Sequence, residues 1–108
     1  MKRGDIVTVA TQGDYGKPRP AVVIQSDRLD GTDSILVCLV TSTVRAAPLF
    51  RLDVPGSVAT GLRVPSQVMA DKIMAVRRDK CGPAIGRLDA TTLVSLSRML
   101  ALLTGITD

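Results

Sequence analysis

Through its first two-thirds the chain is a series of short apolar runs, rich in β-branched residues and separated by Gly, Pro, Asp and Ser. Runs of this length, closed by turn residues, suit strands and are too short for helices. Ile6-Val7-Thr8-Val9 follows the turn-like Arg3-Gly4-Asp5. Residues 11–20 carry Gly13, Asp14, Gly16, Pro18 and Pro20 and read as a loop. Ala21-Val22-Val23-Ile24 is continuously apolar, as a strand covered on both faces should be. A turn over residues 27–33 leads to a second buried strand over residues 34–40, which ends on Thr41-Ser42-Thr43. Residues 49–54 alternate, as a half-exposed strand does, and Pro55-Gly56-Ser57 and Gly61 mark a further loop. Residues 68–76 are apolar but interrupted by Asp71 and Lys72, which predicts two short strands or one bent strand. Gly82, Pro83 and Gly86 are expected to break the chain before its last element.

That last element is predicted to be a helix. Asp89 is placed to cap its start and Gly105 to stop it, and Leu93, Leu96, Leu100 and Leu103 fall on one stripe at helical spacing. The 108 residues suit one domain, 1–108, without repeats. A mainly β domain with a C-terminal helix follows, its sheet strongly bent and barrel-like.

Composition narrows what such a domain can do. Aromatic residues make up 2%, a single Tyr15 and a single Phe50, so the core is aliphatic and extended base-stacking platforms are excluded. The net charge of +4 favours an anionic partner, although charge alone also fits a plain solvated surface. There is no histidine. This excludes a histidine-dependent triad, a paired-histidine ribonuclease and the usual catalytic zinc sites, so no metal and no cofactor are expected. Cys38 sits in an apolar run and Cys81 in a turn. No signal-peptide pattern or membrane-length apolar stretch is read, so reduced thiols, a cytoplasmic location and no membrane partner are the expectation.

Three segments together resemble the MazF/PemK family of toxin ribonucleases. They are Arg3-Gly4-Asp5-Ile6-Val7, then Gly16-Lys17-Pro18-Arg19-Pro20-Ala21-Val22-Val23-Ile24-Gln25, then a stretch from Gly61 through Ser66-Gln67-Val68-Met69-Ala70-Asp71-Lys72-Ile73 to Ile85-Gly86-Arg87-Leu88. The resemblance implies an SH3-like, partly closed β-barrel of the CcdB/MazF toxin type, paired as a homodimer. It also implies a toxin that cuts single-stranded RNA and is neutralised by a cognate antitoxin protein. The gyrase-poisoning toxins of this fold depend on a C-terminal Trp-Gly-Ile, which a chain ending Gly105-Ile106-Thr107-Asp108 and lacking tryptophan does not have. An inactive member that only binds RNA or antitoxin stays open, as does an SH3-like interaction module, for which the chain has few aromatics.

Arg19 is the first catalytic candidate. Pro18 and Pro20 stiffen the backbone on either side, and a planar guanidinium suits a phosphate whose charge grows during attack. The resemblance points to Thr41, a hydroxyl at a strand end, beside the scissile phosphate, with Ser42 next to it. It also points to Asp71, a charge inside an apolar run, as a catalytic or RNA-contacting carboxylate, while the residues alone equally suit one arm of a salt bridge to Lys72 or Arg77. Some relatives carry arginine where this chain has Met69. A second cation then comes from Lys17, Arg45, Arg63 or Arg77, or is absent. Lys17, Ser42, Arg45, Arg63, Ser66 and Arg77 are the expected RNA-binding set. The loops over residues 11–17 and 43–48 are expected to decide which RNA sequence is taken.

Overall fold

The computed structural model describes residues 1–10 and 17–107. These form six strands and a helix: β1 (Asp5–Ala10), β2 (Pro18–Val23), β3 (Ser34–Thr41), β4 (Arg51–Val54), β5 (Ser66–Arg77), β6 (Cys81–Arg87) and α1 (Ala90–Leu103), with a 3₁₀ turn at Arg78–Lys80. The strands make one sheet in the order β4-β5-β3-β2-β1-β6, antiparallel throughout. β4 and β6 are its two edges, so the barrel is only partly closed.

The central strands bury both faces, which is why they read as continuous apolar runs. Ile6, Val22, Cys38 and Val40 join Val54, Val68, Ala70, Leu88 and Leu96 in one cluster. Val7, Val9, Ala21, Val23, Ile35, Val37 and Val76 form the other. Neighbours along each strand thus enter opposite cores, as the two-residue period requires.

β5 is one strand with a bend. Its register against β3 passes from Cys38↔Ile73 to Val40↔Val68, so two residues along β3 face five along β5. The extra residues turn toward β4, where Met69 pairs with Arg51 and Ala70 N–H donates to Phe50 C=O at 3.0 Å. Asp71 and Lys72 lie at this bend, both exposed.

Residues 81–87 correct the expected break, for they form β6. As an edge strand it tolerates Pro83, which falls in an irregular stretch between the pairs Val9↔Cys81 and Val7↔Ala84. Its glycines serve close packing rather than a turn. A Cβ at Gly86 would run into the Thr60 carbonyl, and one at Gly82 into the Thr8 hydroxyl.

The helix is capped as expected. Asp89 Oδ1 accepts from Thr92 N–H at 2.7 Å, and Gly105 (φ 79°) closes the end while Ile106 N–H returns to Ala101 C=O at 3.0 Å. Leu93, Leu96, Met99 and Leu100 pack onto the sheet. Leu103, on the expected stripe, stays 39% exposed and is not among the helix residues packed against that core. No helix of the described residues is long and apolar enough to cross a membrane.

A basic cleft between two parting strands

Gly4 N–H donates to Val23 C=O at 2.8 Å, which turns the backbone groups of residues 19, 21 and 23 toward β1. Those of residues 18, 20 and 22 therefore face β3. The β2–β3 ladder covers Ala21↔Leu39, Val22↔Cys38 and Val23↔Val37 and goes no further. The next group due to donate toward β3 belongs to Pro20, which has no N–H, and the one after it to Pro18. Two prolines thus end the ladder on one side, while β1 still holds β2 through Thr8↔Pro20, Val9↔Arg19 and Ala10↔Pro18. β2 and β3 part here. Continued, their register would have set Arg19 opposite Thr41.

The gap is an open cleft of about 460 Å³. Lys17, Pro18, Arg19 and Pro20 line it from β2, Val40, Thr41, Ser42 and Thr43 from the end of β3, and Leu62, Arg63, Val64 and Ser66 from the loop entering β5. Three cations meet the hydroxyl residues of the β3 end there, and no described lining residue is acidic. Such a lining suits a phosphodiester, whose charge the cations neutralise while hydroxyls donate to its oxygens.

Local bonds set each wall. Thr43 N–H donates to Thr41 Oγ1 at 3.1 Å, which occupies one lone pair of that oxygen and leaves its O–H to donate. Ser66 is buried and its Oγ donates to Val64 C=O at 2.9 Å, so it offers a ligand only a lone pair. The Arg63 loop is anchored by Thr60, whose hydroxyl donates to Pro55 C=O at 2.8 Å and accepts from Ser57 and Leu62 N–H. Gly61 (φ 73°) then turns against the Ile85 carbonyl, where any side chain would collide.

Of the residues singled out in the sequence, Lys17, Arg19, Thr41, Ser42, Arg63 and Ser66 line the cleft. Asp71, Arg45 and Arg77 do not. Asp71 is exposed at the β5 bend, so the desolvation expected for a charge in an apolar run is absent. Neither expected salt bridge to it is formed among the described residues, and Arg77 pairs instead with Asp79 at 2.7 Å at the far end of β5. Arg45 lines a neighbouring hollow of about 450 Å³ with Arg51, Gln67 and Met99. Met69, where some relatives carry arginine, lies on the β4 side of β5 and outside the cleft. Of the loop over residues 11–17, only Lys17 is among the described residues. Sequence reasoning missed the apolar wall residues Leu62 and Val64, and the roles of Thr60 and Gln67.

Neither cysteine belongs to the cleft. Burial pushes the Cys38 thiol up to about 11, with Asp71 adding to the rise and Arg3 opposing it. Burial also raises Cys81, against the pull of Arg78.

Fold and cleft together define a small basic β domain with an anion-accepting gap at a strand splay. The chain belongs to the family of PemK-like, MazF-like toxins of type II toxin–antitoxin systems, whose sequence model matches residues 2–104. It is 43% identical over 107 residues to the probable endoribonuclease MazF of Mycolicibacterium smegmatis, covering 98% of each chain. Its fold is shared with the Mycobacterium tuberculosis toxin MazF-mt6 (TM-score 0.80, 22% identity, 94% of this chain and 96% of that one). It is likewise shared with an endoribonuclease solved in complex with its cognate antitoxin from a mycobacterial species (TM-score 0.77, 22% identity, 97% and 95%).

Proposed function

We propose that this toxin is an endoribonuclease that cuts single-stranded RNA without a metal, by attack of the 2′-hydroxyl on its own phosphate. The observation that carries this reading is the meeting of Lys17, Arg19 and Arg63 with the Thr41 hydroxyl in one cleft lined by no described carboxylate. The M. smegmatis relative's name, probable endoribonuclease, points the same way.

In the step proposed, the 2′-oxygen bonds to phosphorus and the bond from phosphorus to the 5′-oxygen breaks. The products are a 2′,3′-cyclic phosphate and a 5′-hydroxyl. Charge grows on the non-bridging oxygens, where Arg19 supplies a forked donor and Thr41 an O–H. Arginine does not give up its proton at ordinary pH, so Arg19 stabilises charge rather than acting as base. Water takes the 2′ proton and returns one to the leaving oxygen, since Asp71 stands outside the cleft. DNA has no 2′-hydroxyl and is not cut.

The toxin works as a homodimer in this reading. Val94, Leu102 and Ile106 are 50%, 53% and 79% exposed on or just beyond the helix and offer apolar surface for a second copy. Membership of a toxin–antitoxin family supports a cognate antitoxin, whose acidic and apolar residues would compete with RNA for the basic cleft.

The test is to incubate the protein with a long single-stranded RNA in EDTA beside Arg19→Ala and to map the new ends. Discrete cuts with 5′-hydroxyl ends, lost in the variant, are expected. Intact RNA at high protein concentration, or equal cutting by the variant, would sink the reading.

A further inference from the structure

Gln67 is only 4% exposed, and it pairs across the sheet with Thr41 of β3 on one side and Asp53 of β4 on the other. Its carboxamide meets the loop that leaves β3. Arg45 N–H donates to Oε1 at 3.0 Å, and Nε2 donates to Arg45 C=O at 2.9 Å, so the side chain grips that residue as a neighbouring strand would. Nε2 also donates to Asp53 Oδ1 at 2.9 Å, and Oε1 also accepts from Arg51 Nη1 at 3.2 Å. Both donors and both lone pairs of the amide are thereby in use. The same Arg51 nitrogen donates to Thr43 C=O at 3.0 Å, and Thr43 N–H in turn donates to Thr41 Oγ1.

One buried amide therefore fixes the loop from Thr41 to Arg45. A loop path that moved Arg45 away would leave the donors and acceptors of the buried Gln67 amide without these partners, which is costly in a low-dielectric setting. Gln67 itself lines the neighbouring hollow and not the cleft.

We propose that Gln67 is a positioning residue for the cleft, setting the place of the Thr41 hydroxyl through the Arg45 backbone and the Arg51 guanidinium. This rests on the ribonuclease reading above. Displacing a reacting group by about 1 Å can cost on the order of 10²-fold in rate, while the cations that hold the phosphate are left as they were. Loss is therefore expected in kcat rather than in KM.

The experiment measures steady-state cleavage of a short single-stranded RNA that the wild type cuts. It uses Gln67→Ala, Gln67→Glu, and Gln67→Glu combined with Asp53→Asn, each at a temperature where circular dichroism shows it folded. Gln67→Ala is expected to lower kcat by about tenfold or more with KM within about threefold. Gln67→Glu aims a carboxylate oxygen at Arg45 C=O and Asp53, and loses at least as much. Adding Asp53→Asn gives that oxygen an amide donor and regains part of the loss, which a general weakening of the fold would not do. A folded Gln67→Ala with wild-type kcat, a loss carried by KM alone, or no regain from Asp53→Asn would overturn the proposal. Should Gln67→Ala not fold, the comparison of Gln67→Glu with and without Asp53→Asn decides. If the wild type cuts no RNA, the ribonuclease reading fails instead. Amide exchange at Thr43 and Arg45, expected to speed up in Gln67→Glu and to slow again on adding Asp53→Asn, then tests the loop-fixing role by itself, and unchanged exchange rejects it.

Discussion

Thr43 donates its backbone N–H to the Thr41 hydroxyl oxygen at 3.1 Å, so the hydroxyl at the cleft wall is oriented by the turn it begins. The bond uses the oxygen as acceptor, which directs the proton away from the turn. Thr41→Val keeps the shape and removes both functions. It is expected to lower RNA cleavage about 10²-fold, the scale seen when one donor to a developing oxyanion is lost. Thr41→Ser keeps the hydroxyl and is expected to stay much closer to wild type. Single-turnover rates on one RNA oligonucleotide check this, and equal rates for the Val and Ser variants would remove Thr41 from the chemistry.

Asp71 supplies the opposite expectation. It stands in solvent at the β5 bend and lines none of the cleft. Asp71→Asn removes its charge without changing its size, and a surface change of that kind shifts free energies by about 0.5 kcal/mol at most. Cleavage within about twofold of wild type is expected. A loss as large as that of Arg19→Ala would instead return Asp71 to the role of general base, reached through a second copy of the chain.

Most strands were legible because their residues answer to a local rule. Ala21-Val22-Val23-Ile24 can be continuous only if both faces are covered, and Asp89 and Gly105 mark a helix wherever it packs. β6 was not legible. Gly82, Pro83 and Gly86 are turn residues by themselves, and only the approach of Thr8 and Thr60 explains why a strand needs its glycines. The cleft was half legible. Pro18 and Pro20 could be seen to stiffen Arg19, but their larger effect is to end a ladder with β3, and that depends on which way each backbone group faces. The exposure of Asp71 was hidden for a related reason. A charge between Ala70 and Ile73 looks buried until β5 is seen to shift register there. Gln67 carries no sequence signal, because its partners stand at Arg45, Arg51 and Asp53 only after three strands have assembled.

The two cysteines should separate cleanly by reactivity. The reactive species is the thiolate, and Cys38 is fully buried with its thiol raised to about 11, whereas Cys81 is partly exposed. Iodoacetamide at neutral pH is expected to label Cys81 slowly and Cys38 only after denaturant is added. Mass spectrometry of the native digest reads this directly. Native labelling at Cys38 would mean that β3 opens far more often than its burial allows. Since neither thiol lines the cleft, labelling Cys81 is expected to leave RNA cleavage unchanged.

The helix cap gives the fold a defined acid response. Thr92 holds the Asp89 carboxyl below the ordinary aspartate range, first through its backbone N–H and then through its side chain. A carboxylate whose folded pKa is depressed adds stability above its unfolded pKa, and that stability is lost as pH falls through the folded value. Asp89 therefore contributes fully at neutral pH and begins to fail once pH drops into and below the ordinary aspartate range. Asparagine caps a helix nearly as well but does not titrate. Asp89→Asn is thus expected to lower the neutral-pH midpoint of urea unfolding slightly and to flatten its fall with acid, while Asp89→Ala lowers it at every pH above that range. Urea midpoints of the wild type and the two variants across the acid range are the measurement. An acid limb equally steep in the wild type and in Asp89→Asn would show that other carboxylates govern the acid unfolding of this toxin.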